Sequence, residues 1–509
     1  MSSTVILLNI DAALFVVVSS AQSNSAVSAN IKPPIGIIRG TVQRIVNSRP
    51  SNELDIVCSA RSTFVECICK PNGINALDQS AQYAAAEARR LAELCQRIDG
   101  AKLCARASQV RSGEYVPCAI DLSPENISAM MGGQNCHAEI VFEDGAVWLA
   151  RFRISNPISA PREVRDYVLR SEAATMKFLG SHTRVPSPRI FDWACESDPA
   201  NTVGVGYILM EKLHGTPLDW QAASTTQREK VVQQLADIML ELEKHPFDQL
   251  GSLITTAVPM GDEAMLGLAA AKSPVQVHGL AQHSTFHHGV DKMPPGPFRS
   301  SRVALRTLIE IYLQMIADGE IGTVENATDV WEQSATLGES GEERFFLKHP
   351  DDKGDHILVN NNFEVVGIID WEWCSTASKE VAFSSPCMMW PVAEFYNGSN
   401  ELAKEELFLA HAFRQRGRDD LARCMLNGRK VQRLLFALGP SGASHDNRKT
   451  LASLFMGLKR AFACPHEVSQ GKRESVDEEW ENWKANALEI WKNDDLLQTV
   501  LDGELCVKE

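Results

Sequence analysis

The chain has 509 residues, 44% of them hydrophobic and 23% charged, the balance of an ordinary folded protein that is too long for one simple core. Its 65 acidic residues outnumber 50 basic ones for a net charge of −15, which argues against a general nucleic-acid binder and is compatible with a cationic small-molecule partner. Thirteen cysteines lie scattered, with no Cys-x-x-Cys pair and no zinc-spaced Cys/His cluster, the pattern of reduced thiols in an intracellular protein.

Residues 5–20 (VILLNIDAALFVVVSS) are apolar but lack a basic start and carry Asp11 in their middle. They read as part of a poorly ordered extension over 1–75, with a secretory signal as the alternative to a cytoplasmic protein. No stable membrane span is expected from them. From Ala76 an alanine-rich segment with helical apolar spacing follows, ALDQSAQYAAAEARRLAELCQRI. Then come strand signals: CHAEIVF, a turn at Glu143, Asp144 and Gly145, and AVWLARF, preceded by the glycine pair Gly132 and Gly133. Arg151 and Arg153 lie two apart on the second strand and so share a face. A helix, REVRDYVLRSEAATMKFLGSH, carries Glu172 and ends before the two prolines of VPSPRIF. VGYILMEKLHGTPL reads as a buried strand breaking into a polar turn.

The second half is mainly helical. TTQREKVVQQLADIMLELEKHPF and RVALRTLIEIYLQMIADGE have helical periodicity and flank a Gly, Pro, Ser and His-rich stretch. His278, His283, His287 and His288 in that stretch lack metal-ligand spacing and read as a substrate-side loop. Three further helices follow residue 400, the last with Trp480, Trp483 and Trp491, an aromatic stripe that reads as core packing.

Between these helices lies the stretch that carries chemistry, residues 345–373, FFLKHPDDKGDHILVNNNFEVVGIIDWEW. HILV and FEVVGIID read as two strands joined by a turn at Asn360, Asn361 and Asn362, since asparagine tolerates the left-handed backbone of tight turns. The hairpin brings Asp351, before the first strand, and Asp370, at the end of the second, to one edge. One carboxylate there can accept a hydroxyl proton while the other holds a divalent metal.

His349-Pro350-Asp351-Asp352-Lys353, with the IIDWE run at 368–372, resembles the catalytic loop and metal-binding segment of the aminoglycoside phosphotransferase and choline kinase family, in a fungal-type branch. The resemblance implies an α+β, bilobal protein-kinase-like fold. Residues 76–213 would form a small β-rich N-lobe with a leading helix, and 214–509 a larger, mainly helical C-lobe with the catalytic loop. ATP or GTP and Mg²⁺ would be the cofactors, and a small-molecule hydroxyl the phosphate acceptor. By the same resemblance Asp351, with His349 and Lys353, is catalytic, and Gly132, Gly133, Gln134 and Asn135 form the loop over the phosphates. Arg151, paired with Glu172, stands where kinases place a phosphate-contacting lysine. Backbone groups near Glu211 and Leu213 would hold the base. Asp370 is the metal ligand, and His356 stands where the family carries a metal-binding asparagine. That departure supports an alternative, a catalytically weak kinase-like protein that binds a nucleotide or a partner. A protein kinase fits less well, because no Asp-Phe-Gly or Ala-Pro-Glu landmark is present.

Overall fold

The computed structural model describes residues 4–10, 13–19, 76–112, 116–132, 134–154, 161–255, 275–282, 293–317, 343–351, 353–438 and 448–462. Gly133, Asp352, the histidines His283, His287 and His288, the three C-terminal tryptophans and most of 1–75 lie outside them. Near the start, β1 (Thr4–Ile10) and β2 (Ala13–Ser19) pair as an antiparallel hairpin.

Helices α1 (Ala76–Arg97) and α2 (Gly100–Ser112) precede the short strand β3 (Cys118–Ile120), helix α3 (Pro124–Ala129), β4 (Asn135–Phe142) and β5 (Val147–Arg153). Next come α4 (Arg162–His182), β6 (Ile190–Ala194) and β7 (Tyr207–Glu211). The five strands make one antiparallel sheet in the order β3-β4-β5-β7-β6. Leu91, Leu94 and Ile98, one stripe at and just after the end of α1, join Leu103 of α2 against Ile140, Trp148 and Phe152 of the sheet. Fully burying side chains of this size contributes roughly 1.5–3 kcal/mol each.

Helix α4 buries polar as well as apolar positions, including Asp166, Ser171, Glu172 and Thr175, because it lies between the sheet and the rest of the molecule. Ala173 and Ala174 are wholly enclosed, and small side chains there let the helix approach closely. The helix stops at Thr183, whose Oγ1 donates to the Leu179 carbonyl at 2.8 Å. The proline-bounded segment that follows then reaches across to Ile368, whose N–H the Pro186 carbonyl accepts at 2.6 Å.

After β7, the pair Thr216–Pro217 (β8) leads into α5 (Thr225–Glu243). A capping box starts α5: the Gln227 N–H donates to Ser224 Oγ, and the Ser224 N–H donates to Gln227 Oε1 at 2.7 Å. Strands β9 (Ser252–Thr255) and β10 (Val275–His278) and helix α6 (Ser301–Ala317) precede β11 (Phe345–Lys348), β12 (Ile357–Val359), β13 (Val365–Ile368) and β14 (Ser375–Ser378). Helices α7 (Lys379–Ala382), α8 (Val392–Tyr396), α9 (Lys404–Gln415), α10 (Asp419–Leu426), α11 (Arg429–Leu438) and α12 (Arg448–Phe462) complete the described chain. Leu235 of α5, Leu409 and Phe413 of α9 and Met425 of α10 share one core with Ile357 and Val359 of β12. A small antiparallel sheet lobe followed by a larger helical lobe is the bilobal, protein-kinase-like arrangement.

The β12–β13 hairpin forms in the register Ile357↔Ile368. Its turn works differently from the expected left-handed asparagine. Asn360 Oδ1 accepts the N–H groups of Asn362 and Glu364 at 2.9 and 3.0 Å, while the left-handed residue is Phe363, φ 57°. Phe363 packs its ring against the helical core, and that contact offsets the backbone cost that asparagine would have avoided. Among the described residues, no helix is long and apolar enough to cross a membrane.

Candidate active site

The open end of the hairpin gathers His349, Asp351, His356 and Asp370. His349 follows β11, and its Nε2 lies 2.9 Å from the Ile369 carbonyl while its Nδ1 lies 3.1 Å from the Asp351 nitrogen. With the proton on Nε2 the ring donates to the Ile369 carbonyl and accepts the Asp351 N–H at Nδ1, which also lies 2.9 Å from the Asp351 carbonyl. His349 thus fastens the loop before β12 to the residue preceding Asp370. Trp371 meets the His349 ring edge-on at 4.7 Å, and His356 stacks on it at 4.2 Å. Trp371 is buried and donates its indole N–H to the Ile368 carbonyl at 2.9 Å.

Asp351 is partly exposed. Its Oδ1 accepts the Lys353 N–H at 3.1 Å, and the exposed Lys353 Nζ stands 3.6 Å from Oδ2. Gly354 takes φ +101°, and a Cβ there would lie 2.8 Å from Met388 Sδ, so this turn of the loop needs glycine on both counts. His356 is buried; burial above all, with the nearby Lys348 and Lys353 charges adding to it, holds its pKa down at about 2, so the ring is neutral.

Asp370 has a left-handed backbone, φ 61°, and a side chain 53% exposed. Such a conformation in a non-glycine residue is costly and collects at functional sites. Arg151 Nη2 approaches its Oδ1 at 3.4 Å. The rest of the Arg151 guanidinium is committed elsewhere. Nη1 pairs with Glu172 on α4, and Nη2 pairs with Glu372 at 2.8 Å. Glu372 also pairs with Arg153 and accepts from Asn135 Nδ2 at 2.6 Å. Burial pushes the Glu172 carboxyl up to about 7 against the opposing pull of Arg151, and burial lowers Arg153 to about 10. A small cleft lies beside this cluster, between α1, α4 and β5, and its charged lining residues are largely paired with one another.

The structure therefore gathers Asp370, Arg151 and Glu172 in one place, and His349, Asp351, Lys353 and His356 in the adjoining loop. The glycine-loop residues stand differently. The Gly132 N–H donates to the Asn135 carbonyl at 2.7 Å, the Gln134 side chain pairs with Arg153, and Asn135 begins β4 with its side chain turned inward to Glu372. At the strand end, the Glu211 N–H is taken by the Arg189 carbonyl at 2.8 Å. The backbone N–H and C=O of Leu213 have no hydrogen-bond partner among the described residues. Gly367 beneath leaves room for that leucine, since a Cβ would come within 2.6 Å of Leu213 Cδ1.

Sequence reasoning missed Glu372 and Asp355, and it chose Arg151 over Arg153, which shares its strand face. The acid pair two apart in IDWEW was the available signal for Glu372, and the Asp-His dipeptide at 355–356 the signal for Asp355.

Residues 150–378, somewhat less than half of the chain, match the model of the phosphotransferase enzyme family. It is 28% identical over 161 residues to a subtelomeric hrmA-associated cluster protein of Aspergillus fumigatus, an alignment covering 30% of each chain, so most of that relative's length is unmatched. Among solved structures, a chain from Ralstonia eutropha JMP134 described as an aminoglycoside phosphotransferase superposes with a TM-score of 0.41. It is 15% identical, and the match covers 72% of this chain and 98% of that one. The GDP complex of wild-type aminoglycoside 2'-phosphotransferase-IIIa superposes at 0.34, again 15% identical, covering 65% and 90%.

Proposed function

We propose that the chain moves the γ-phosphoryl group of ATP, or of GTP, to a hydroxyl of a small molecule. The observation that carries this reading is the bond from His349 Nε2 to the Ile369 carbonyl, which fixes the Asp351 loop beside Asp370. Residues 76–213 serve as the nucleotide-covering lobe and the chain from 214 onward as the acceptor lobe.

Asp351 accepts or orients the hydroxyl proton of the acceptor, and Lys353 beside it offsets charge on the transferring phosphate. Proton transfer by a positioned side chain contributes typically about 10²–10⁴-fold. Arg151, held by Glu172 and Glu372, keeps a buried positive charge next to Asp370. The free backbone groups of Leu213 suit a purine edge. Mg²⁺ usually keeps several waters and binds through one or two carboxylates plus substrate phosphates, and the half-exposed Asp370 fits that demand. Asp370 would hold that ion, which would supply charge neutralisation to the nucleotide phosphates. In-line transfer otherwise asks the protein mainly for position and charge.

Thermal unfolding with and without ATP and Mg²⁺ tests the reading, because a ligand that binds only the folded state raises its apparent stability. A Mg²⁺-dependent rise in wild type that Asp370→Ala abolishes is expected, followed by turnover in a screen of hydroxyl acceptors, cationic ones first. No rise in wild type sinks it. The second reading, nucleotide or partner binding without turnover, draws on His356 at the asparagine position and on an Arg151 guanidinium shared by two buried carboxylates. A thermal rise with no turnover on any acceptor would favour it.

A further inference from the structure

The catalytic loop holds a grouping that phosphoryl transfer does not use in full. One donor atom each from Asp351, Asp355 and His356 lies within 4.8 Å of the other two, and Asp370 is not part of the group. Two carboxylates near each other mean little alone, since surface acids often gather without a ligand. The independent observation is the imidazole. His356 is more than nine-tenths buried, and its ring has no hydrogen-bond partner among the described residues. Its Nδ1 is fully enclosed and unpartnered. A buried polar atom is normally satisfied, and an unsatisfied one calls for a cause such as an absent ion. Stacking on His349 occupies one face of the ring and leaves its nitrogen edges unused.

The donor set then selects the ion. Mg²⁺ favours all-oxygen octahedral surroundings, whereas a neutral imidazole with carboxylates suits zinc, cobalt or manganese. Ligand distances of about 2.0–2.2 Å require the three atoms to close up slightly, which the exposed Asp355 side chain allows. Lys353 Nζ competes for Asp351 Oδ2 at 3.6 Å, but that side chain is 73% exposed and can swing into solvent.

We propose that Asp351, Asp355 and His356 bind a divalent transition ion of the zinc, cobalt or manganese class, at a site distinct from Asp370. Binding of the ion needs no nucleotide. If the phosphotransferase reading holds, the ion takes the carboxylate that the acceptor hydroxyl needs, so ion and acceptor compete.

The test uses the full chain without nucleotide, titrated with Co²⁺ and, separately, with Zn²⁺ by calorimetry. Wild type is expected to bind one Co²⁺ with visible absorption bands of nitrogen and oxygen ligation. Asp355→Asn and His356→Asn should each weaken binding by more than about tenfold, the lower bound seen even for groups that only support a metal ligand. Asp370→Asn should leave it unchanged. Asp355→Asn alters an exposed side chain and guards against a folding artefact at the buried histidine; its circular dichroism should match wild type. Absence of Co²⁺ and Zn²⁺ binding in wild type overturns the proposal. So does undiminished binding in Asp355→Asn, and thiolate-to-cobalt charge-transfer bands in that variant would assign the ion to cysteines. Because no nucleotide is present, failure of this site is separable from failure of phosphotransfer.

Discussion

Asp351 is held by its own loop. Its N–H goes to His349, its Oδ1 receives the Lys353 N–H, and its second oxygen is left facing an exposed lysine. Replacing the carboxylate with an amide keeps the shape and removes the proton acceptor. Asp351→Asn should therefore lower turnover by roughly 10²–10⁴-fold while the nucleotide-dependent rise in unfolding temperature stays near wild type. Steady-state kinetics paired with thermal unfolding checks both halves. An equal loss of nucleotide stabilisation would give Asp351 a binding role instead.

At the scale of elements, α10 is tied to α5 through Arg418. Its Nη1 donates to Glu243 Oε2 at 2.7 Å and its Nε to Asp420 Oδ1 at 3.0 Å. Hydrogen bonds from Arg418 hold both carboxyls below the usual carboxylate range. A carboxyl depressed in the folded state stabilises the fold above its unfolded pKa, and that contribution is lost as pH falls through the folded value. The urea midpoint of wild type should thus drop between roughly pH 5 and pH 3, and Arg418→Met should flatten that drop. A parallel acid dependence in the two proteins would remove the bridge from the account. The same scale shows what was legible in sequence. The β12–β13 hairpin and the Asp351–Asp370 edge could be read because their signals lie within one 29-residue run. The turn falls at Asn360, Asn361 and Asn362 as read, but its left-handed residue is Phe363, whose ring packs against the helical core. Glu372 stayed hidden because its partners Asn135, Arg151 and Arg153 lie more than 200 positions away, beyond the reach of periodicity or spacing.

Across the whole molecule, that buried charge cluster joins the sheet lobe to the segment after β13 that carries Asp370 and Glu372. Arg151 and Arg153 come from β5, Glu172 from α4, and Glu372 from the far side of the cleft. Removing one member of a buried ion pair costs about 3–5 kcal/mol, because the remaining charge is left uncompensated. Glu372→Gln, which keeps the shape, should lower the unfolding free energy by about that amount in urea titration. A change below about 0.5 kcal/mol, the usual size for a surface substitution, would mean that solvent already screens the cluster.

The stack of His356, His349 and Trp371 has an optical consequence. Indole emission responds to the ring and charge beside it, and here the indole meets edge-on the imidazole that fastens the Asp351 loop. The chain thus carries a native reporter on its own loop, readable as the difference in fluorescence between wild type and Trp371→Phe. Any ligand that shifts His349 or settles on His356 writes its arrival into that difference spectrum, before an acceptor is known and without a label.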